Sequence, residues 1–177
     1  MGFGSAGGGC IIAASVSSDI PNTLERFRRG PELLAVVLTG VFGEEEDFAI
    51  APGKWSIRQI VAHLADMELC FAHRFRQVIA EDNPTLVAVN QDDWMARLDS
   101  ARRKPKQSLE SFRRLRGENY ELLKELPAAD YERAGTHTER GRLTLEQMVE
   151  LCARHVESHA SQMQAIRDEY KRVKGKK

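Results

Sequence analysis

Apolar residues recur at steps of three and four along most of this chain, the spacing of a helix with one buried face. The first segment covers about Pro21 to Thr39, with Leu24, Phe27, Leu33, Leu34, Val37 and Leu38 on its apolar side and Gly30-Pro31 as a kink. The second opens at Ser56, where Gln59 completes a capping box, and runs to about Glu81. Its stripe is Ile57, Ile60, Val61, Leu64, Phe71, Phe75, Val78 and Ile79. Asn83-Pro84 ends it. The third runs from about Ser108 to Leu126 and stops at Pro127. The fourth opens at Thr144, with Gln147 in a second capping box, and carries Leu145, Met148, Val149, Cys152, Val156, Met163 and Ile166 inward. Between the second and third, residues 82–107 lose the pattern, apart from a short helix expected at about Gln91 to Leu98. A connection of that length is long enough to cross a bundle and is often functional. No stretch alternates as strands do. The pattern predicts an all-α protein, a four-helix bundle with a long crossover between helices 2 and 3.

Composition narrows this picture. The 177 residues suit one domain, and 42% of them are hydrophobic. Residues 19–172 form the expected bundle, residues 1–18 a flexible Gly/Ser-rich leader, and residues 173–177 a basic tail. The leader has a short apolar run at Cys10 to Ala14 but no basic segment before it, so it does not read as a secretory signal. Lysine and arginine balance aspartate and glutamate at 26 each. That balance argues against nucleic acid as a partner. The basic runs Arg102-Arg103-Lys104 and Lys171 to Lys177 read as solvated charge. No run of about 20 apolar residues exists, so no membrane span is expected. Cys10, Cys70 and Cys152 lack metal or disulfide spacing, and a reducing, cytoplasmic setting follows.

The chemistry falls to histidine. His155 and His159 are four apart on the apolar face of the fourth helix, a spacing at which two imidazoles can hold one metal ion or act as hydrogen-bonded core residues. At about 100° per residue, His63 lies at the edge of the second helix's stripe, where it faces a neighbouring helix as a third ligand or as a boundary histidine. Glu68 falls near the middle of that stripe. A carboxylate there is paired with an arginine or serves as an acid/base. Asp66 points away from the stripe, exposed or reaching a loop. His73 and His137 have no ligand spacing and read as surface or loop residues. The pair on the fourth helix resembles the ends of a zinc-protease motif, but Val156 stands where its glutamate is needed.

The run from Pro52 to Asp66, with Trp55-Ser56-Ile57-Arg58 and His63, resembles the signature of the DinB-like superfamily, and within it the YfiT-like branch. The run Gly141 to Gln147, leading into His155 and His159, is similar too. The resemblance covers roughly Thr23 to Ile166. It implies a four-helix bundle and a three-histidine metal site on His63, His155 and His159, with nickel or zinc as the usual metal. It also implies a homodimer. Known members include thiol-dependent enzymes, namely bacillithiol S-transferases and a mycothiol-dependent maleylpyruvate isomerase, beside many described only as metal-dependent hydrolases.

Three functions are therefore expected in turn. The first is transfer of a low-molecular-weight thiol to an electrophilic small molecule, with the metal favouring the thiolate. The second is metal-dependent hydrolysis. The third is a metal-stabilised binding module without turnover. Glu68 is the candidate acid/base for either enzyme. The substrate cleft is expected beside the histidines and against the 82–107 crossover, with Trp94 either lining it or packing.

Overall fold

The computed structural model describes residues 19–175. The leader at residues 1–18, with Cys10, and the last two residues of the basic tail lie outside the described residues. The elements in order are α1 (Ile20–Arg28), α2 (Gly30–Leu38), a single turn α3 (Glu44–Asp47), α4 (Ile57–Ala80), β1 (Thr85–Leu86), α5 (Gln91–Arg97) and α6 (Pro105–Lys124). A 3-10 turn (Ala128–Glu132), β2 (Ala134–His137), β3 (Gly141–Thr144) and α7 (Leu145–Lys174) follow among the described residues. Four helical columns, α1 with α2, then α4, α6 and α7, make the expected bundle, and residues 81–104 form the crossover. Among the described residues no helix is long and apolar enough to cross a membrane.

The caps act where the side-chain pattern placed them. The Ser56 and Thr144 hydroxyls accept the backbone N–H of Gln59 and Gln147, and each glutamine side chain accepts the N–H of its cap residue. The first segment is two helices rather than one kinked helix. Pro31 has no N–H to offer the carbonyl of Phe27, and its ring crowds the preceding turn. Arg116 Nη1 donates to that carbonyl instead, at 3.0 Å. Gly30 lets α6 come this close, since a Cβ there would stand 3.1 Å from the same Nη1. The third column starts earlier than the apolar pattern implied, because Pro105 occupies its first turn, where a fixed φ and a missing N–H cost nothing.

A small sheet was not anticipated. β1 pairs parallel with β2, and β2 pairs antiparallel with β3, in the order β1-β2-β3. It is too short to show a period: β1 has two residues and its partner lies 51 positions on, Thr85 against Thr136. Gly135 permits the pairing, since a Cβ there would meet the Pro84 carbonyl at 2.9 Å. The sheet pins the crossover to the hairpin that leads into α7. Arg58 and Arg103 secure the crossover's other end. Arg58 donates to the Arg103 carbonyl at 3.1 Å, and Arg103 holds both Asp66 oxygens at 2.6 and 2.7 Å. Asp66 is thus the residue that reaches a neighbouring loop.

Two apolar clusters fill the bundle. One gathers Leu34, Ile57, Ile60, Leu64, Phe112, Val156 and Met163. The other gathers Phe27, Phe75, Val78, Leu86, Leu123, Met148 and Cys152. Removing such side chains from water is the main source of stability here, at about 25 cal/mol per Å² of apolar surface.

Candidate metal centre

His63 comes from the second turn of α4, just past the Ser56 cap, and His155 and His159 come from the middle of α7. The capped start of α4 fixes the rotation of His63 toward α7. The Nε2 of His155 lies 3.1 Å from the Nε2 of His63 and 3.1 Å from the Nε2 of His159. The ligand nitrogens of all three lie within 4.8 Å of one another. The structure therefore brings together the three histidines that the sequence singled out.

Their surroundings keep them uncharged. Burial, then the nearby His159, holds His63 down at about 4. Burial, then His159 and His63, holds His155 at about 3. Burial lowers His159 as well, against a hydrogen bond to Gln162 that works the other way. That bond joins His159 Nδ1 to Gln162 Oε1 at 2.8 Å. With the amide oxygen accepting, Nδ1 carries the proton and Nε2 presents a bare lone pair, an assignment made from the hydrogen-bond network. One proton on His155 Nε2 can serve one of its two 3.1 Å contacts but not both. A cation among the three nitrogens serves all of them. Nitrogens bound to one ion at about 2.0–2.1 Å lie roughly 3 Å or slightly more apart, so the spacing fits. Trp55, immediately before the cap, packs over the cluster, with its ring 4.9 Å from His63 and stacked at 6.2 Å on His159.

Beside the histidines is a cavity of about 410 Å³, with His155 in its wall. Leu86, Val89 and Gln91 of the crossover line it, as expected of that segment. Its other walls come from Met67, Phe71 and Arg74 of α4, His137, Glu139, Arg140 and Leu143 of the hairpin, and α7. Trp94 is not among the lining residues.

Two sequence expectations need correction. Glu68 is not placed to act as an acid/base. It is 1% exposed, does not line the cavity, and both its oxygens are occupied, by Arg116 Nη2 at 2.6 Å and Asn119 Nδ2 at 2.9 Å. Its mid-stripe position reflects pairing with arginine. His137 is no surface residue. It is buried in β2, and its Nδ1 accepts the Glu139 backbone N–H at 3.2 Å. Burial, then Arg74 and Arg140, lowers its pKa. Spacing along the chain could not find it, because the sheet brings it to the cavity. Gln162 was overlooked too, although its place three residues after His159, on the same helix face, was a usable signal. His73 is exposed, as read.

A bundle of this topology with three converging imidazoles defines a class of helical proteins with a candidate metal centre that reaches a cavity through His155. Residues 26–163 match the model of the DinB superfamily, and the chain belongs to that family. It is 26% identical over 136 residues to a protein of Oceanobacillus iheyensis named "Putative metal-dependent hydrolase", covering 77% of this chain and 78% of that one. A protein of Bacillus mycoides with the same description is 28% identical over 138 residues, covering 78% and 79%. In fold the chain is similar to YfiT from Bacillus subtilis, described as "a probable metal-dependent hydrolase with an unusual four-helix bundle topology". The TM-score is 0.81 at 22% identity, over 92% of this chain and 91% of that one.

Proposed function

We propose that this protein is a metal-dependent hydrolase of a small organic substrate, with one divalent ion held by His63, His155 and His159. The observation that carries the reading is the meeting of three uncharged imidazoles, one of which, His155, also lines a cavity. A divalent ion bound there supplies Lewis acidity toward a carbonyl or phosphoryl oxygen and toward water. The chain supplies the rest. His155 belongs to both the histidine cluster and the cavity wall. His137 accepts at Nδ1, so in its neutral form Nε2 carries the proton and is a donor for a substrate oxygen. Glu139 is the one acidic residue among the described residues lining the cavity, and takes the part of proton acceptor first assigned to Glu68. Apolar side chains from α4, the crossover and α7 exclude water from the substrate's body.

Hydrolysis displaces thiol transfer as the first reading because the named relatives are described as hydrolases. The test uses protein made without a histidine tag. Metal analysis is expected to find one ion per chain, nickel or zinc, and none in His155→Ala. Metal-loaded protein is expected to cleave members of an ester and amide panel, with the rate gone in His155→Ala. Turnover only with glutathione, bacillithiol or mycothiol would make it a transferase. Metal uptake without turnover of either kind would leave a binding module.

A further inference from the structure

Arg74 is placed unusually for an arginine. It lies on α4 between Phe71 and Phe75, is 8% exposed and lines the cavity. Its guanidinium sits 5.6 Å from the centre of the Phe71 ring, and Nη2 donates to the Val87 carbonyl at 2.7 Å. No carboxylate among the described residues forms an ion pair with it. The other deeply buried arginine, Arg116, has Glu68 at 2.6 Å. A guanidinium does not discard its proton when buried, so its charge must be met by a partner. One backbone carbonyl meets it only in part. Arg140 and Arg154 line the same cavity, both exposed and neither ion-paired among the described residues. Arg74 and Arg140 also both act on His137, which places them on one side of the site. The single lining acid, Glu139, is exposed at the rim, and its backbone N–H is taken by His137. Phe71, Leu86, Leu143, Met148 and Leu151 make much of the remaining wall apolar.

We propose that the cavity takes a substrate with an oxyanion, a carboxylate or a phosphate, on an apolar body, and that Arg74 holds the anion. The flat fork of a guanidinium matches either group through two parallel hydrogen bonds. His155 lines the same cavity, so the far part of such a molecule has access to the histidine cluster. That this ligand is the substrate rests on the hydrolase reading; that the anion binds does not. The test is calorimetric titration of metal-free protein with phenylbutyrate, phenyl phosphate and the neutral phenylbutyramide. At least one anion is expected to bind tenfold or more tightly than the amide, and whichever does so separates carboxylate from phosphate. Arg74→Gln is expected to abolish that preference, and Arg74→Lys to keep part of it. Should Arg74→Gln fail to fold, the exposed Arg140→Gln is expected to weaken the anion twofold to fivefold and leave the amide unchanged. Equal affinity for anion and amide, or an undiminished preference in the variant that folds, would overturn the proposal. So would anion binding that appears only with zinc and disappears in His155→Ala, since the anion would then sit on the metal and the hydrolase reading would stand. An intact anion preference in a protein that takes up no metal would remove the hydrolase reading and leave this one.

Discussion

Glu68 and His63 are both buried on α4, and each meets polar side chains from another helix. Glu68 meets Arg116 and Asn119, so its charge is cancelled and both its oxygens are used. Asn119 passes the network on through Arg76, which donates to its Oδ1 at 2.9 Å. Arg116 is clamped further by the Phe27 ring at 3.9 Å and the Phe112 ring at 4.8 Å. His63 meets two more imidazoles, with lone pairs facing lone pairs and protons enough for only some of the contacts. The Glu68–Arg116 pair is charge-balanced within the chain, and only Arg116 Nε is left without a hydrogen-bond partner among the described residues. The histidine cluster is complete only with something added. Burial alone therefore does not separate a structural polar group from a functional one; the balance of donors, acceptors and charge does.

The sharpest way to break this contrast is to exchange the two losses. Glu68→Ala strands the Arg116 charge in the core and is expected to cost about 3–5 kcal/mol of folding free energy, while metal binding per folded chain is unchanged. His155→Ala is expected to abolish metal uptake while costing the metal-free fold less than half as much. Urea unfolding and metal analysis of both variants check the pair. Equal destabilisation, with metal lost in both, would merge the two clusters into one unit.

Next in size is a change at the side chain that holds His159 from behind. Gln162→Leu removes the acceptor that fixes the His159 tautomer and is expected to weaken metal binding about tenfold to a hundredfold, with little change in stability. A competitive chelator titration reads it. An unchanged affinity would mean that packing against Trp55, not Gln162, orients the ring.

The smallest effect is in pH. His63 and His155 stay neutral down to about 4 and about 3 in the folded chain, against 6.5 for the ordinary group. Between about 4 and 6.5 the unfolded chain binds more protons, so stability of the metal-free protein rises with pH across that window and falls as pH drops through it. The slope is expected to be about 1 kcal/mol per pH unit for each histidine. Unfolding at pH 5, 6 and 7 measures it, and His63→Ala is expected to flatten it.

Much of this was legible in the chain before folding. Helix faces repeat every few residues, the Ser56 and Thr144 caps sit next to what they cap, and His155 and His159 are neighbours through one helix turn. Such relations are local, and periodicity and spacing report them. What was missed depends on contacts between distant segments. β1 exists because β2 comes to it, and His137 becomes a cavity wall by the same pairing. Arg74 stood on the buried side of α4, but its lack of a carboxylate partner emerged only once α6 had given Asn119 and Arg116 to Glu68. The break at Gly30-Pro31 was visible, whereas the Arg116 bond to the Phe27 carbonyl that makes use of it was not.

The ties between the ends of the bundle have a consequence for the order of its making. Arg26 of α1 holds Glu157 of α7 at 2.9 and 2.7 Å across 131 positions of chain, and Arg167 reaches back to the Val37 carbonyl at 2.6 Å across 130. His63 and His155 are 92 positions apart. A ribosome releasing this protein from its N-terminus exposes α1, α2, α4 and α6 while their partner is still unmade, and two of the three histidines arrive with α7. The nascent chain has no metal centre to fill until α7 is out, so metal loading follows the synthesis of α7, and early release before α7 yields a chain with a single histidine of the three and an open apolar groove for chaperones to hold.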